Sequence, residues 1–209
     1  MYMKRGEAKM FQLDGDPVSN EQIRMIRANL EQVVPQARSF VITSPGDEGE
    51  TTIISAKLAI AFAEQGKKVV LVDADIRTPL LHHLFHLSDK SGLTNVLLNH
   101  AELHDLVKET MVPGLFVLPA GPRPGRFSDV WVRGKIKELA GKSASEFDVI
   151  LFAAPPYLTS SDSHILANEC DGVILVLKAN KTKKAEALKT RDYLNRSNCQ
   201  IVGVIYQTG

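Results

Sequence analysis

A short strand, a glycine-bearing loop and a helix follow one another between residues 40 and 65, and this order constrains the fold more than any other part of the chain. The apolar run Phe40–Ile42 is typical of a buried strand, and apolar side chains recur at helical spacing after Thr51. Between them, residues 44–52 read Ser-Pro-Gly-Asp-Glu-Gly-Glu-Thr-Thr. Because a helix N-terminus after a tight turn offers backbone N–H groups to an anion, the segment predicts a phosphate-binding loop.

This loop departs from the usual phosphate-binding pattern at its main positive charge. The pattern Gly-x-x-x-x-Gly-Lys-[Ser/Thr] binds phosphates through backbone N–H groups and a lysine, and holds Mg²⁺ through the hydroxyl. Ser44, Gly49 and Thr51 occupy three of its positions, whereas Glu50 occupies the lysine position. Two further carboxylates precede it, Asp47 and Glu48. One like-charge contact at about 4 Å costs roughly 4 kcal/mol near a protein surface, so this loop should repel phosphate.

A pair of carboxylates follows the next apolar run. Residues 69–72 are Val-Val-Leu-Val, and Asp73-Ala74-Asp75-Ile76-Arg77 comes directly after them. Side chains at i and i+2 of a strand point to the same side, and ligands bind at the carboxyl ends of strands in open parallel sheets. The pair could coordinate Mg²⁺ or accept a proton from an attacking hydroxyl; a polar turn after a strand is the alternative reading.

With both motifs present, the chain resembles the bacterial tyrosine kinases that control capsule and exopolysaccharide export. These kinases belong to a deviant P-loop group that also holds chromosome-partitioning and division-site-placement ATPases. Val70–Arg77 resembles the second nucleotide motif of the family, and Phe147–Pro156 resembles the third. Three further segments are similar to family stretches: Leu81–Phe85, Ser91–Thr94 and Val117–Pro122.

The resemblance implies an α/β fold, a doubly wound parallel sheet of the P-loop NTPase type in a single domain. We expect an N-terminal segment over residues 1–36 with an oligomerisation helix, and a kinase-like domain over 37–209. It also implies ATP and Mg²⁺, with Asp73 and Asp75 as catalytic carboxylates, Asp73 being the candidate base. Thr51 and Asp75 are the implied metal ligands. The implied nucleotide-contacting positions are Ser44, Gly46, Gly49, Glu50, Thr51, Thr52 and Arg77.

Two family features are altered besides the loop lysine. The aspartate and the hydroxyl residue of the third motif fall on Ala153 and Ala154, while Pro155 and Pro156 remain. The family's kinases usually end in a tyrosine cluster, whereas the tyrosines here are scattered: Tyr2, Tyr157, Tyr193 and Tyr206. Because Glu50 and Ala153 replace both charge partners of ATP·Mg²⁺, we expect nucleotide binding to be weak or absent.

The spacing Glu21-x-x-Arg24-x-x-Arg27 places three charged side chains along one face of a helix, since residues three apart are neighbours there. It resembles the family's Glu-x-x-Arg-x-x-Arg helix, which packs against a neighbouring subunit. The expected partners are a second copy or a paralogous tyrosine kinase, together with the cytoplasmic segment of a membrane activator. An ordinary charged helix face is the alternative.

Composition narrows the class of protein. A chain of 209 residues with 44% apolar content fits one domain, and a net charge of +1 argues against nucleic acid as the main partner. Two cysteines, Cys170 and Cys199, suggest a reducing compartment rather than a disulfide framework. We find no apolar run of about 18 residues and no signal peptide, and expect a cytoplasmic protein that reaches a membrane only through a partner.

Alternating apolar runs and helical patterns place the remaining elements. The predicted strands are Phe40–Ile42, Val69–Asp73, Leu115–Leu118, Val149–Ala153, Val173–Leu177 and Ile201–Tyr206. The predicted helices are Asn20–Val33 with a capping box at Ser19 and Gln22, then Thr51–Gln65, Pro79–Leu87, Leu93–Val107, Val130–Gly141, Ser161–Cys170 and Lys181–Arg196. A basic group on and before the last helix, which includes Lys178, is interpreted as a solvent-exposed face.

Two functional hypotheses remain. One is an active protein-tyrosine autokinase that uses ATP·Mg²⁺. The other, favoured by Glu50, Ala153 and the scattered tyrosines, is a catalytically impaired subunit that oligomerises or regulates in polysaccharide biosynthesis. A partitioning-type ATPase fits less well, because the charged N-terminal helix and the Leu-Pro-Ala-Gly stretch point to the kinases.

Overall fold

The computed structural model describes residues 17–47, 50–99 and 101–208. Its strands are β1 (Ser39–Thr43), β2 (Val69–Asp73), β3 (Lys108–Glu109), β4 (Leu115–Leu118), β5 (Val149–Ala153), β6 (Gly172–Lys178) and β7 (Ile201–Gln207). Its helices are α1 (Pro17–Val33), α2 (Thr51–Ala63), α3 (Leu81–Phe85), α4 (Leu93–Asn99), α5 (Leu103–Leu106), α6 (Lys135–Ser143), α7 (Ser161–Glu169) and α8 (Lys184–Arg196), with a 3₁₀ turn at Phe127–Asp129.

The strands form one seven-stranded sheet in the order β3-β4-β2-β5-β1-β6-β7. Every neighbouring pair is parallel except β3 with β4. Parallel strands need crossover connections, and here helices supply most of them on the two sides of the sheet. The doubly wound α/β class and the single domain expected from the sequence are confirmed.

Alternate residues along each strand face two separate hydrophobic clusters. On β1, Phe40 and Ile42 pack with α1 and α2, while Val41 packs with the helices of the opposite side. The central strands β1, β2 and β5 are buried along their whole length. This burial on both faces explains why their sequences are continuous apolar runs rather than alternating ones.

Helix α1 is part of the same packed unit as the sheet. Ile23 and Leu30 of this helix are buried in the cluster formed with α2 and β7. Its described part begins at Pro17, three residues before the predicted start. Ser19 therefore lies inside the helix, and the predicted capping box is wrong.

Four other predicted helices differ from the structure. The helix predicted over Pro79–Leu87 covers only Leu81–Phe85. The helix predicted over Leu93–Val107 is divided into α4 and α5, and His100 between them lies outside the described residues. The helix predicted over Val130–Gly141 begins only at Lys135, after Gly134 with a left-handed φ of 88°. Helix α8 begins at Lys184 rather than Lys181, because Thr182 closes a turn back to the end of β6 through its Oγ1. The antiparallel β3 was not predicted.

Two of the stretches similar to the family meet at a glycine. A Cβ on Gly92 would lie 2.0 Å from the carbonyl oxygen of Pro119, so no other residue fits without displacing backbone. The N–H of Leu93 donates to that same oxygen at 2.8 Å. The close approach fixes the start of α4 against the loop after β4.

At the amino-terminal edge of the sheet, one carboxylate joins β1 to β6. Asp171 Oδ2 accepts from the N–H groups of Arg38 (2.8 Å) and Ser39 (2.9 Å) and from the Ser39 hydroxyl (2.9 Å). Burial raises the pKa of Asp171, but these donors outweigh it and hold the pKa below its ordinary value. Asp148, at the same edge, accepts from the N–H of Lys68 at 2.8 Å.

We expect Asp171→Ala to lower the free energy of unfolding by about 1–3 kcal/mol, because it removes an acceptor shared by three donors. Asp148→Ala is the matched control. Because Asp148 accepts only the hydrogen bond from Lys68 among the described residues, this variant should lower the free energy of unfolding by less. Because the folded-state pKa is lowered, the difference from wild type should be present above about pH 4 and shrink as the pH falls through the folded pKa. Urea unfolding at pH 7 and pH 3 measures it; equal costs for the two variants would contradict the assignment.

Candidate nucleotide-binding site

Three parallel strands end side by side at the carboxyl edge of the sheet and position the candidate site. β5 lies between β1 and β2, and its last residue, Ala153, is in register with Ile42 on one side and Asp73 on the other. Strands in a sheet are about 4.8 Å apart. A side chain at position 153 therefore stands midway between the loop that follows β1 and the carboxylates that follow β2.

The loop after β1 is anchored at its start. Ser44 is buried, and its hydroxyl donates to the carbonyl oxygen of Gly46 at 2.6 Å. The carbonyl oxygen of Ser44 accepts from the N–H of Tyr157 at 2.8 Å, and that of Pro45 accepts from Leu158 at 3.2 Å. The segment after the third motif thus runs alongside the loop. Gly49, one of the predicted nucleotide-contacting residues, lies outside the described residues together with Glu48.

Glu50 directly precedes α2, and its side chain turns away from β2. It forms an ion pair with Lys178 at the end of β6, and Gln207 Nε2 donates to its Oε2 at 3.4 Å. Thr51 and Thr52, the first residues of α2, are half-buried. The lysine position of the loop therefore carries a carboxylate that is neutralised by a lysine from another strand.

Asp73 is a buried carboxylate at the end of β2. It is 2% exposed, and its Oδ2 accepts from the N–H groups of Leu80 (2.9 Å) and Leu81 (2.8 Å). Burial raises the pKa of Asp73 to about 7; the two N–H groups lower it and the charge of Asp75 raises it further. A carboxylate with a pKa near neutrality is partly ionised at pH 7 and can accept or release a proton.

Asp75 closes the turn after β2. Its Oδ1 accepts from the N–H groups of Arg77 (3.2 Å) and Thr78 (3.0 Å), and its Oδ2 accepts from the Thr78 hydroxyl at 2.7 Å. Both oxygens thus have partners within the turn. A metal ion bound here would have to use their remaining lone pairs or displace the Thr78 hydroxyl.

Arg77 reaches across the end of β5. Its Nε lies 3.5 Å from Asp162 Oδ2, and its Cζ lies 4.4 Å from the ring centroid of Phe127. Asp162 belongs to the first turn of α7 and is 2% exposed. The pair links the loop after β2 to the helix after β5.

The residues present fit ATP·Mg²⁺ only in part. Thr51 offers a hydroxyl at the start of α2 and Asp75 a carboxylate after β2, as the P-loop pattern requires. Ala153 places a methyl group, 4% exposed, where a carboxylate would stand between them. In the described part of the chain, no group of three or more His, Cys, Asp and Glu side chains could hold a metal ion.

The three predicted oligomerisation residues lie on α1 and have partners within the chain. Arg24 Nε lies 3.1 Å from Glu64 Oε2 of α2, and its NH1 lies 3.5 Å from Glu21. Arg27 pairs with Glu31, and the Arg27 side chain is only 14% exposed. An intermolecular contact through this face would therefore compete with these internal pairs.

Lys178 and Asp162 are two site residues that sequence reasoning missed. Lys178 was interpreted as part of a solvent-exposed basic face, but its side chain is only 25% exposed and is paired with Glu50. Lys178 stands at the carboxyl end of β6. Because ligands bind at the carboxyl ends of strands in open parallel sheets, the argument made for Asp73 could also have identified Lys178. Its pairing with Glu50, 128 residues away, has no local sequence signal. Asp162 resembles an ordinary acidic residue in the first turn of a helix, and its contact with Arg77, which comes from another loop, has no local sequence signal.

The fold and the loop-to-helix site define a P-loop NTPase-like domain, and comparisons with known proteins agree. The ParA family profile, described as NUBPL iron-transfer P-loop NTPase, matches residues 36–207. Tyrosine-protein kinase YwqD of Bacillus subtilis is 38% identical over 192 residues, which cover 90% of this chain and 80% of that protein. Tyrosine-protein kinase CpsD of Streptococcus agalactiae is 32% identical over 189 residues, with coverages of 90% and 81%.

Among solved structures, the chimerical protein CapA2B2 superposes with a TM-score of 0.83 at 28% identity, over 92% of this chain and 85% of that one. The BceF tyrosine kinase domain superposes with a TM-score of 0.83 at 27% identity, over 95% and 81%. The chain therefore belongs to the bacterial tyrosine-protein kinase family within the ParA-like P-loop NTPases. No helix in the described ranges has the length and apolar character needed to span a membrane.

The raised pKa of Asp73 predicts a pH-dependent effect of Asp73→Asn. Because the folded protein binds the Asp73 proton more tightly than the unfolded chain does, this proton stabilises the folded state of the wild-type protein. That stabilisation is fully present below about pH 4 and is lost as the pH rises through about 7. Asparagine stays neutral at every pH and still offers an oxygen to Leu80 and Leu81. At about 1.4 kcal/mol per pKa unit, the variant should be more stable than wild type by roughly 2–4 kcal/mol at pH 8 and equal to it near pH 4.

Urea unfolding across this pH range tests the prediction. Asp105→Asn, which alters a carboxylate 66% exposed on α5, is the control and should show no such gain. A wild-type protein that matched Asp73→Asn at pH 8 would show that Asp73 is ionised at little cost in the folded state.

Proposed function

We propose that this chain is a catalytically impaired member of its family that acts as an oligomerising or regulatory subunit in capsule or exopolysaccharide biosynthesis. The observation that supports this most is Glu50 at the lysine position, engaged by Lys178 and Gln207. Phosphoryl transfer depends almost entirely on positioning and electrostatic stabilisation of the transferred group. A site with a carboxylate at the lysine position and a methyl group at position 153 supplies neither.

The proposed partners follow from the resemblance to the kinases. They are a second copy or a paralogous tyrosine kinase, and the cytoplasmic segment of a membrane activator of polysaccharide export. We propose a cytoplasmic location with any membrane association through that activator. ATP and Mg²⁺ remain the cofactors that the family implies, with weak or absent binding in this chain.

An active ATP-dependent tyrosine autokinase is the second candidate. It is favoured by Asp73, whose pKa of about 7 suits a general base, and by the retained hydroxyl of Thr51. In that case Asp73 would accept the proton of the acceptor hydroxyl, while Thr51 and Asp75 would hold the metal ion that neutralises charge on the phosphates.

Phosphotransfer with radiolabelled ATP and Mg²⁺ separates the two candidates. The protein, purified from a host without tyrosine kinases, should incorporate no label, even with the activator's cytoplasmic segment added. Glu50→Lys alone should improve nucleotide binding without turnover, and turnover should also require Ala153→Asp, with circular dichroism to check folding. Label on the wild-type protein that disappears in Asp73→Ala would restore the kinase candidate.

A second prediction concerns assembly through the α1 face. Exposed ion pairs contribute roughly 0–1 kcal/mol each, and Arg24 and Arg27 already have internal partners. Assembly through this face should therefore be weak and salt-sensitive. Replacing both arginines by alanine should shift size-exclusion elution or abolish binding to a kinase paralogue, whereas Arg191→Ala on α8 should do neither. Unchanged behaviour of the double variant in both assays would reduce α1 to an ordinary charged face.

A further inference from the structure

Lys178 lies beside the phosphate loop because its strand is longer than the neighbouring one. Thr43, the last residue of β1, is in register with Leu175 of β6, and β6 continues three residues further to Lys178. At about 3.3 Å per residue, this extension raises Lys178 roughly 10 Å above the end of β1. β7 extends equally far, with Gln207 in register with Lys178. The extended ends of β6 and β7 therefore lie along one side of the phosphate-binding loop.

The backbone of Lys178 is fixed by its neighbours. Its N–H donates to the Thr182 hydroxyl at 2.9 Å, and its carbonyl oxygen accepts from the Thr182 N–H at 2.9 Å. The N–H of Ala179 donates to the carbonyl oxygen of Gln207 at 2.8 Å. The Lys178 side chain is 25% exposed, so most of its stem is packed, and its ammonium group pairs with Glu50.

The ammonium group of Lys178 lies close to the lysine position of the loop. The ammonium group of Lys178 contacts the carboxylate of Glu50, so it lies within one side-chain length of the backbone at position 50. The family pattern puts a phosphate-binding ammonium group on that position itself. Lys178 thus brings a cation of the same kind to the same part of the site from a different strand, and Glu50 occupies it.

We propose that Lys178 is a phosphate-contacting residue of this site, for a nucleoside triphosphate or diphosphate, and that Glu50 blocks it as an internal competitor. This inference rests on the proposed function and deepens it, since it gives the reason for weak nucleotide binding. The Glu50 carboxylate mimics one phosphate oxygen pair on the Lys178 ammonium group. Any partner that draws Glu50 away would expose the cation without a change in the sheet.

The ion pair between Glu50 and Lys178 can be broken without disturbing the fold. Glu50 is 49% exposed and lies at the junction of loop and helix, with no side-chain hydrogen bond to the start of α2. Its other partner, Gln207 Nε2, is distant at 3.4 Å. An ion pair this open to solvent is weak, so a polyphosphate with several negative charges can compete once the repulsion of Glu50 is removed.

Isothermal titration with ATP·Mg²⁺ and, separately, tripolyphosphate·Mg²⁺ tests the proposal on four proteins: wild type, Glu50→Gln, Lys178→Met and Glu50→Gln/Lys178→Met. Glu50→Gln should bind both ligands at least about tenfold more tightly than wild type, a change that corresponds to one lost charge contact. Adding Lys178→Met should remove this gain. The control Glu138→Gln breaks the exposed pair with Lys142 on α6 and should bind like wild type.

Each other outcome has a definite meaning. If Glu50→Gln binds no better than wild type, the blocking role of Glu50 is wrong while the impaired-subunit function stands. If its gain survives Lys178→Met, or appears with ATP but not with tripolyphosphate, Lys178 does not contact phosphate. If wild type itself binds ATP with a micromolar dissociation constant, the expectation of weak nucleotide binding is wrong, and the proposed function is then decided by the phosphotransfer assay, while the differences between variants still decide the role of Lys178. Should Glu50→Gln melt earlier than wild type, Glu50→Ala replaces it in the same comparison.

Discussion

The parallel alignment of β1, β5 and β2 is the constraint on which the candidate site depends. Because these strands are buried on both faces and end at one edge, the side chains at their ends converge whatever those side chains are. The fold therefore does not depend on which side chains stand at these strand ends. Ala153 illustrates this, since a methyl group is accepted between Ile42 and Asp73 without a break in the register of either strand pair.

Charge at this edge is redistributed rather than simply lost. Considered alone, Glu50 replaces the positive charge of the phosphate-binding loop with a negative charge. Lys178, at the end of β6, neutralises that negative charge. Arg77 is likewise matched by Asp162. Two cations of this edge, Lys178 and Arg77, are thus paired with carboxylates, and burial raises the pKa of Asp73 to about 7. A nucleotide would have to compete with these internal pairs, and the proposed weak binding would follow from that competition without any change in the fold.

Much of the fold could be predicted from the sequence because its strongest signals are local. β2 and β5 were predicted with both boundaries correct, since each is a continuous apolar run that ends at a motif. The break between α4 and α5 was missed because apolar spacing continues through it. β3 is only two residues long and exists through its pairing with β4, so no periodic pattern marks it.

The residues of the candidate site could be named from the sequence, but the contacts between them could not. The pattern of an apolar strand followed by carboxylates predicted that Asp73 and Asp75 lie at the carboxyl edge of the sheet, and the structure puts both residues at the end of β2. The burial of Asp73 depends on Leu80 and Leu81 folding back over it, and the pairing of Glu50 depends on β6 being three residues longer than β1 at this edge. Such contacts follow from strand length and order, which are properties of the whole sheet rather than of any segment.

The central claim is that a carboxylate at position 50 and a methyl group at position 153 close this site to nucleotide. Calorimetric titration of the unaltered protein with ATP and Mg²⁺, with ADP alongside, tests it most directly. A lost attraction and an added repulsion amount to several kcal/mol, so the account predicts a dissociation constant weaker than about 1 mM or no measurable heat. A micromolar dissociation constant for ATP·Mg²⁺ would contradict it.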